Sequence, residues 1–153
     1  MKSLELKIPP LFLVIIFGIL MWCLSMFLPG VIVSKSISFA VAGIVFMVGL
    51  AFALFGVLSF KKSDTTVNPM VPQEATSLVT SGVYQITRNP MYVGFLLFLL
   101  AWAIYLTNVY ALLFSLGFVW YMNQFQIKPE EEMLTNLFGE QFTAYTDKVR
   151  RWL

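Results

Sequence analysis

The sequence contains no histidine and only one cysteine, Cys23. Without histidine, the chain cannot form a Ser-His-Asp triad, a histidine-ligated haem or the usual zinc sites. A single cysteine excludes an intramolecular disulfide and a cysteine metal cluster, and we predict no metal site. Chemistry in this chain therefore has to come from arginine, lysine, acidic residues, tyrosine, amides, the backbone or a cofactor.

Charge is also scarce, since 12% of the residues are charged, 59% are hydrophobic and the mean hydropathy is +0.81. A soluble domain of 153 residues cannot bury that much apolar surface, so lipid has to solvate most of the chain. The net charge of +2 is too small to indicate a nucleic-acid partner. We expect a single membrane domain over residues 1–153, with membrane lipids as partners.

Apolar runs predict an all-α integral membrane protein with four transmembrane helices, at about residues 9–28, 37–60, 90–106 and 109–127. The first run lacks the short apolar core and cleavage site of a secretory signal. Only two residues separate the last two runs, which predicts a tight antiparallel hairpin. Small residues on one face of the second run predict close helix packing and permit an oligomer: Ala42, Gly49, Ala53 and Gly56.

The distribution of basic residues predicts the topology. With four spans, nine lysines and arginines lie on one side of the membrane and Lys35 alone lies on the other, which places both termini in the cytoplasm. We expect a multi-pass protein of a prokaryotic cytoplasmic membrane. A cytoplasmic loop over residues 63–89 and C-terminal helices over residues 128–153 would then form the cofactor site together with the hairpin.

The C-terminal region is predicted from its local signals. Lys128-Pro129 should break or kink the fourth helix. Gly139 is a plausible C-cap for the next helix. Residues 140–153 are amphipathic and are predicted to lie on the membrane surface, with Arg150 and Arg151 anchoring the chain to anionic lipid.

Residues 80–94 join a polar, turn-rich segment that contains Arg88 to a long apolar run. Asn89-Pro90 predicts a helix start, with Asn89 as the N-cap and Pro90 at the first helical position. The N-terminus of that helix can hold an anionic group. The alternative is a plain capped helix with an interfacial arginine and an aromatic belt.

The predicted hairpin brings its two cytoplasmic ends together, so Arg88 and the pair Glu130-Glu131 should share one site. Carboxylates hold ribose hydroxyls or an ammonium, tyrosine faces attract a sulfonium, and arginine or backbone N–H groups hold a carboxylate. S-Adenosyl-L-methionine carries all of these groups, and methyl transfer from it needs little acid–base help when the acceptor is already nucleophilic. The residues alone do not choose it over another nucleotide cofactor. No GxGxxG or P-loop motif is present.

Two motifs lie on either side of the predicted hairpin. The first is Gly82-Val83-Tyr84-x3-Arg88-Asn89-Pro90-x-Tyr92-x-Gly94, and the second is Glu130-Glu131-x2-Leu134-x3-Phe138-Gly139-x5-Tyr145-x3-Val149-Arg150-Arg151. Together they resemble the isoprenylcysteine carboxyl methyltransferase family, which is related to the phospholipid methyltransferases. The resemblance covers roughly residues 68–153. It implies an integral membrane methyltransferase that uses S-adenosyl-L-methionine without a Rossmann domain.

The resemblance also implies roles for individual residues. Arg88, Glu130 and Glu131 would be the catalytic residues, with Arg88 orienting the site or balancing its charge. Asn123 and Gln126 would face the substrate. The cofactor-binding residues that it implies lie in the loop, at the start of the third helix and after the fourth: Thr76, Ser77, Leu78, Val79, Tyr84, Asn89, Pro90, Met91, Tyr92 and Glu130.

The sequence departs from the family pattern at two positions. Members often carry histidine where this chain has Asn89, and an amide cannot relay a proton near neutral pH. The eukaryotic enzymes carry an arginine, implicated in holding the prenylcysteine carboxylate, where this chain has Gln126. We therefore expect a minimal, prokaryotic-type member that methylates a different acceptor, lipid-like or small and amphipathic, entering sideways from lipid.

Two other functions remain open from the sequence. One is an NADPH-dependent membrane reductase of related fold. The other is a non-catalytic membrane scaffold protein built on an old enzyme fold. The sequence also leaves open whether oxygen, nitrogen or sulfur is methylated.

Overall fold

The computed structural model describes residues 5–63 and 76–153, and these residues form helices and connecting turns without a strand. The α-helices are α1 (Pro10–Phe27), α2 (Lys35–Lys62), α3 (Pro90–Tyr105), α4 (Val109–Tyr121), α5 (Lys128–Phe138) and α6 (Glu140–Lys148). A 3₁₀ turn at Gly82–Gln85 precedes α3, and a π-helical segment at Met122–Ile127 joins α4 to α5. The predicted all-α class is confirmed over this part of the chain.

Two of these helices, α1 and α2, are long and apolar enough to cross a membrane. Only 17% of the apolar window of each is buried inside the protein, so most of their side chains face outward. The apolar helix α3 has 16 residues, and α4 has 13 before the π-helical segment begins. By length and composition the structure supports two spans, and the four-span arrangement stays a prediction.

The helices α2 and α3 pack closely because glycines face each other. A Cβ atom at Gly94 would lie 2.6 Å from the carbonyl oxygen of Gly49, and one at Gly56 would lie 2.8 Å from the Cγ atom of Met91. Gly49 and Gly56 belong to the small-residue face noted in the sequence. That face is used inside the chain, against α3, so it does not require a second copy of the protein.

At the C-terminal end of α3, a short turn connects this helix to α4, as predicted. The Asn108 side chain accepts a hydrogen bond from the Ala111 N–H at 3.2 Å and donates one to the Leu28 carbonyl at 3.1 Å. The Val31 N–H donates to the Thr107 carbonyl at 2.7 Å. These bonds tie the turn to the connection between α1 and α2.

The apolar core lies where α1, α3 and α4 meet. Leu13 and Met21 of α1, Leu99 of α3, Phe118 of α4 and Met122 of the π-helical segment are all buried there. The core therefore fixes the ends of α3 and α4 relative to each other, and these ends carry the residues of the predicted site.

The sequence predicts a break or a kink at Lys128-Pro129, and the structure shows no break there. Ile127 (φ −70°, ψ −46°) and Lys128 (φ −59°, ψ −49°) stay helical, so α4, the π-helical segment and α5 follow one continuous path. Pro129 cannot donate the usual bond to the carbonyl four residues earlier, that of Phe125. The Leu6 N–H donates to this carbonyl instead, at 3.0 Å. Proline is tolerated here because the N-terminal segment supplies the missing donor.

Gly139 ends α5, as expected for a C-cap. It has φ +52° and ψ −123°, a conformation that glycine adopts most easily, and its N–H donates to the Thr135 carbonyl at 2.9 Å. The turn at Gly139 lets α6 fold back, so the last residues of the chain can return toward the start of α3.

Candidate functional site

Residues 87–89, just before α3, bind the last residues of the chain. The Arg88 N–H donates to the Arg150 carbonyl at 2.9 Å. The Thr87 hydroxyl and the Asn89 amide both donate to the Arg151 carbonyl, at 3.2 and 2.9 Å. The backbone becomes extended at Val149 (φ −123°, ψ 133°), which points its carbonyls at these donors. The surface helix predicted to continue to residue 153 therefore ends at Lys148, and we call residues 149–152 the C-terminal strap.

The Arg88 guanidinium contacts α5, the last turn of α6 and the start of the strap. Its Nη1 atom donates to the carbonyls of Thr146 and Val149, at 3.0 and 2.7 Å. Its Nη2 atom pairs with Glu131 Oε1 at 2.8 Å. The side chain is 13% exposed, and its buried Nε has no partner among the described residues. The Nη1 and Nη2 groups of Arg88 therefore donate to partners inside the protein.

Glu131 is held by a second arginine as well. Arg151 donates from Nε to Oε1 at 3.1 Å and pairs through Nη2 with Oε2. Burial alone would raise the pKa of the Glu131 carboxyl, but the Arg151 and Arg88 guanidiniums outweigh burial and lower it. Glu131 is therefore ionised at neutral pH, and both of its oxygens are occupied by cations.

Glu130, the adjacent residue, has a different environment. The Tyr92 hydroxyl and the Gln126 amide both donate to its Oε1 atom, each at 2.5 Å. Its other oxygen, Oε2, accepts no hydrogen bond from the part of the chain that the structure describes. Burial raises the pKa of Glu130 to about 7; the bonds from Tyr92 and Gln126 oppose this rise, and the charge of Glu131 adds to it. Within the described part of the chain, Glu130 thus has one oxygen fixed by two donors and one that receives no hydrogen bond.

Tyr84 lies under this site and connects three elements. Its ring meets the Phe60 ring edge-on, with centroids 5.4 Å apart, and its carbonyl accepts a hydrogen bond from the Tyr145 hydroxyl at 2.6 Å. Burial raises the pKa of Tyr145 to about 12, against the opposing charge of Arg88, and burial also raises the pKa of Tyr84. Both phenols stay protonated near neutral pH.

The other predicted cofactor residues surround these groups unevenly. In the loop, Thr76 is exposed, Leu78 is half-buried and Val79 is buried, while the Ser77 hydroxyl donates to the Ser63 carbonyl at 2.9 Å. At the start of α3, Pro90 is buried and Met91 is half-buried. The predicted loop extends over residues 64–75, which lie outside the described residues.

The structure corrects the role predicted for Asn89 as a capping side chain. Asn89 occupies the N-cap position of α3, but its side chain caps no N–H of that helix and donates to Arg151 instead. The Asn89 N–H itself donates to the Thr87 hydroxyl at 3.2 Å. Capping is displaced because the strap offers Asn89 a carbonyl acceptor.

The two predicted substrate residues also have partners inside the chain. Asn123 accepts a hydrogen bond from the Trp152 indole at 3.0 Å, and Gln126, 2% exposed, binds Glu130. Their role toward a substrate stays a prediction. Gln126 lies in the π-helical segment, four residues before Glu130.

Sequence reasoning missed Arg151 and Trp152 as members of this site. The sequence predicts that Arg151 anchors the chain to lipid at the surface, whereas in the structure it forms an ion pair with Glu131. The second motif contained Arg151, and this was the available signal. No comparable local pattern marked Trp152.

Comparison with known proteins places the chain in a family. A family model for phospholipid methyltransferases matches residues 37–141, more than half of the chain. The chain belongs to the phospholipid methyltransferase family. The match includes Arg88, Tyr92, Glu130 and Glu131, whereas α1 and the C-terminal strap lie outside it.

Individual relatives carry methyltransferase names. Protein-S-isoprenylcysteine O-methyltransferase B of Arabidopsis thaliana is 32% identical over 93 residues, which are 61% of this chain and 47% of that protein. Protein-S-isoprenylcysteine O-methyltransferase of Xenopus laevis is 33% identical over 110 residues, 67% of this chain and 38% of that protein. The chain thus spans about half or less of these two relatives. An uncharacterized protein of Haemophilus influenzae is 48% identical over 63 residues, which are 41% of this chain and all of that protein. No solved structure matches the chain.

Proposed function

We propose that this phospholipid methyltransferase family member is a membrane enzyme that uses S-adenosyl-L-methionine to methylate a lipid-like or small amphipathic acceptor. The observation that carries this proposal is Glu130, a carboxyl group with one oxygen fixed by Tyr92 and Gln126 and the other without a donor in residues 5–63 and 76–153. It stands where the start of α3 meets α5, inside the family match. The names of the relatives support the methyl-transfer class.

The described residues fit this cofactor chemically. Glu130 Oε2, which has no donor within the described segments, can accept a hydrogen bond from an ammonium or from a ribose hydroxyl, and the neutral Tyr84 ring lies nearby. S-Adenosyl-L-methionine supplies an electrophilic methyl group. The ion pairs of Glu131 with Arg88 and Arg151 hold α5 against the start of α3 and against the strap. The site is therefore ordered before the cofactor binds, and ordering it does not reduce the binding free energy.

The acceptor is proposed to be apolar because an apolar cavity lies near the site. A cavity of about 290 Å³ opens between α1 and α3. It is lined by Val14, Ile15, Gly18, Ile19, Trp22, Phe98, Leu99 and Trp102. A hydrocarbon chain suits this lining, and its polar end would remain at the membrane boundary.

Aromatic rings connect the cavity to Glu130. Tyr92, which holds Glu130, has its ring centroid 6.4 Å from that of Phe95, and Phe95 is 6.3 Å from Phe98 in the cavity wall. Six residues of helix separate Tyr92 from Phe98, a rise of roughly 9 Å. The cavity therefore lies at the depth that the tail of a lipid would reach with its head at Glu130.

The four-span topology belongs to the same proposal. Arg88, just before α3, contacts Glu131 just after the π-helical segment, which supports placing these two ends of the hairpin at one membrane face. We propose that this face is cytoplasmic, as the distribution of basic residues predicts.

The test is methyl transfer by the purified protein in lipid vesicles. Radiolabelled S-adenosyl-L-methionine should transfer label to a component of a lipid extract, and Glu130→Gln should abolish transfer. Thermal stabilisation by S-adenosyl-L-methionine but not by NADPH would exclude the reductase alternative. A protein that binds neither cofactor, and whose cellular role survives Glu130→Gln, would be a scaffold instead.

A further inference from the structure

We propose that Arg151 is a positioning residue for Glu130: it holds and neutralises Glu131, and so leaves Glu130 as the ligand-facing carboxyl of the site. This assignment rests on the proposed function, because the ligand is the cofactor named there. Arg151 lies beyond the family match, which ends at residue 141.

The geometry separates the two glutamates. Arg151 reaches both oxygens of Glu131, and Arg88 reaches one of them. Among the residues that the structure describes, Glu130 receives hydrogen bonds only from neutral groups, Tyr92 and Gln126, on a single oxygen. Neighbouring carboxyls in one pocket repel each other, so two ionised glutamates need a cation beside one of them.

The strap is hydrogen-bonded to the residues just before α3 and to the π-helical segment. The Arg151 carbonyl accepts hydrogen bonds from Thr87 and Asn89, and the next residue, Trp152, donates to Asn123. With the bond from the Arg88 N–H to the Arg150 carbonyl, the backbone is held on both sides of the Arg151 side chain. It is placed by the backbone and does not depend on a flexible surface contact.

Removing Arg151 should therefore change the charge that Glu130 experiences. Among the described residues, the titratable groups near Glu130 are Glu131 on its own helix, Tyr92 on α3, and Tyr84 in the 3₁₀ turn. The tyrosines stay neutral, so Glu131 and its two arginines set the local charge. Without Arg151, Glu131 is only partly neutralised, and the carboxyl of Glu130 should hold its proton to higher pH.

The experiment is an infrared titration of the carboxyl groups in the purified full-length protein, without cofactor. The band of Glu130 is assigned as the difference between wild type and Glu130→Gln. Arg151→Gln should raise the midpoint of this band by about one pH unit, as expected for the loss of one charge at a partly buried site. Arg151→Lys, which keeps the charge, should restore most of the wild-type midpoint.

The matched control is Arg150→Gln, the same change on the neighbouring exposed arginine, which should leave the midpoint unchanged. The double variant Arg151→Gln with Glu131→Gln should return the midpoint to or below the wild-type value. A midpoint that stays fixed in Arg151→Gln while the melting temperature falls would show a merely structural role and overturn the proposal. Calorimetric binding of S-adenosyl-L-methionine to wild type is measured separately, so failure of the proposed function is distinguishable from failure of this inference.

Discussion

Two adjacent glutamates have opposite environments, and this difference can be tested with one substitution at each. Glu130→Gln keeps the shape and the bond from Tyr92 but removes the charge, so it should lower S-adenosyl-L-methionine affinity about tenfold or more with little change in stability. Glu131→Gln leaves Arg88 and Arg151 without their carboxylate and should lower the free energy of unfolding by about 2 kcal/mol. Calorimetry and thermal melts of both variants measure the two effects. Equal stability losses would contradict the division of roles.

The pKa of Glu130, raised to about 7, predicts opposite pH trends for stability and binding. From the ordinary value of 4.5 up to about 7, the folded protein keeps a proton that the unfolded chain has lost, so stability falls as pH rises. Cofactor affinity should rise over the same window, because the ionised carboxylate is the better acceptor.

Both trends should flatten in Glu130→Gln, and melting curves and binding isotherms at several pH values check them. The Glu131 carboxyl has a lowered pKa, so its contribution to stability is present above its ordinary pKa and is lost only as pH falls through the lowered value. A stability maximum that persists unchanged in Glu130→Gln would count against this assignment.

At the scale of single residues, the sequence predicted which side chains meet but not how they divide the contacts. Arg88 and the two glutamates could be brought together by the hairpin alone, and the structure does so. Whether Arg88 faces a ligand or the protein depends on carbonyls 58 and 61 residues away, one in the last turn of α6 and one at the start of the strap, whose extended conformation has no local sequence signal.

The packing of α2 on α3 depends on glycine at one close contact. A methyl group at Gly94 would meet the backbone carbonyl of Gly49, so Gly94→Ala should lower the free energy of unfolding by about 1–3 kcal/mol. Gly43→Ala is the matched control, since a Cβ there meets nothing within 4 Å. Unfolding in mixed detergent would measure both. An unchanged free energy of unfolding in Gly94→Ala would show that the packing of α2 on α3 does not depend on the close contact at Gly94.

The cavity between α1 and α3 gives a second test at this scale. Gly18 faces open space, so Gly18→Leu should fold normally while filling the cavity. We expect it to raise the KM for a long-chain acceptor severalfold and to leave S-adenosyl-L-methionine binding unchanged. Gly43→Leu, which adds the same side chain on the outer face of α2, is the control. Equal activity of both variants would remove the cavity from the acceptor path.

Individual elements were predictable where a local pattern specifies them. The apolar runs gave α1, α2 and the turn at Thr107 and Asn108, because helix periodicity and length act locally. The π-helical segment was not predictable from local sequence, since the Phe125 carbonyl that Pro129 cannot pair with accepts its hydrogen bond from Leu6, far away in sequence. A proline alone signals a break.

At the scale of the whole molecule, the site needs the start of α3, the end of the π-helical segment and the strap on one membrane face. The distribution of lysines and arginines predicts that face as cytoplasmic, but this charge asymmetry is a statistical preference. The contacts of Arg88 with Thr146, Val149 and Glu131 make the requirement geometric, because a strap on the other face could not form them.

Cysteine labelling tests this arrangement directly, since Cys23 is the single native cysteine. In a Cys23→Ser background, cysteines at Ser34 and Tyr110, both exposed, should react with a membrane-impermeant maleimide added to intact cells. Cysteines at the exposed Lys62 and Asp147 should react only after the membrane is permeabilised. If Asp147 were labelled from outside while Lys62 was not, the end of α6 and the end of α2 would lie on opposite membrane faces. The bond between Tyr84 at the end of the loop and Tyr145 on α6 could not then exist, and the site would be excluded.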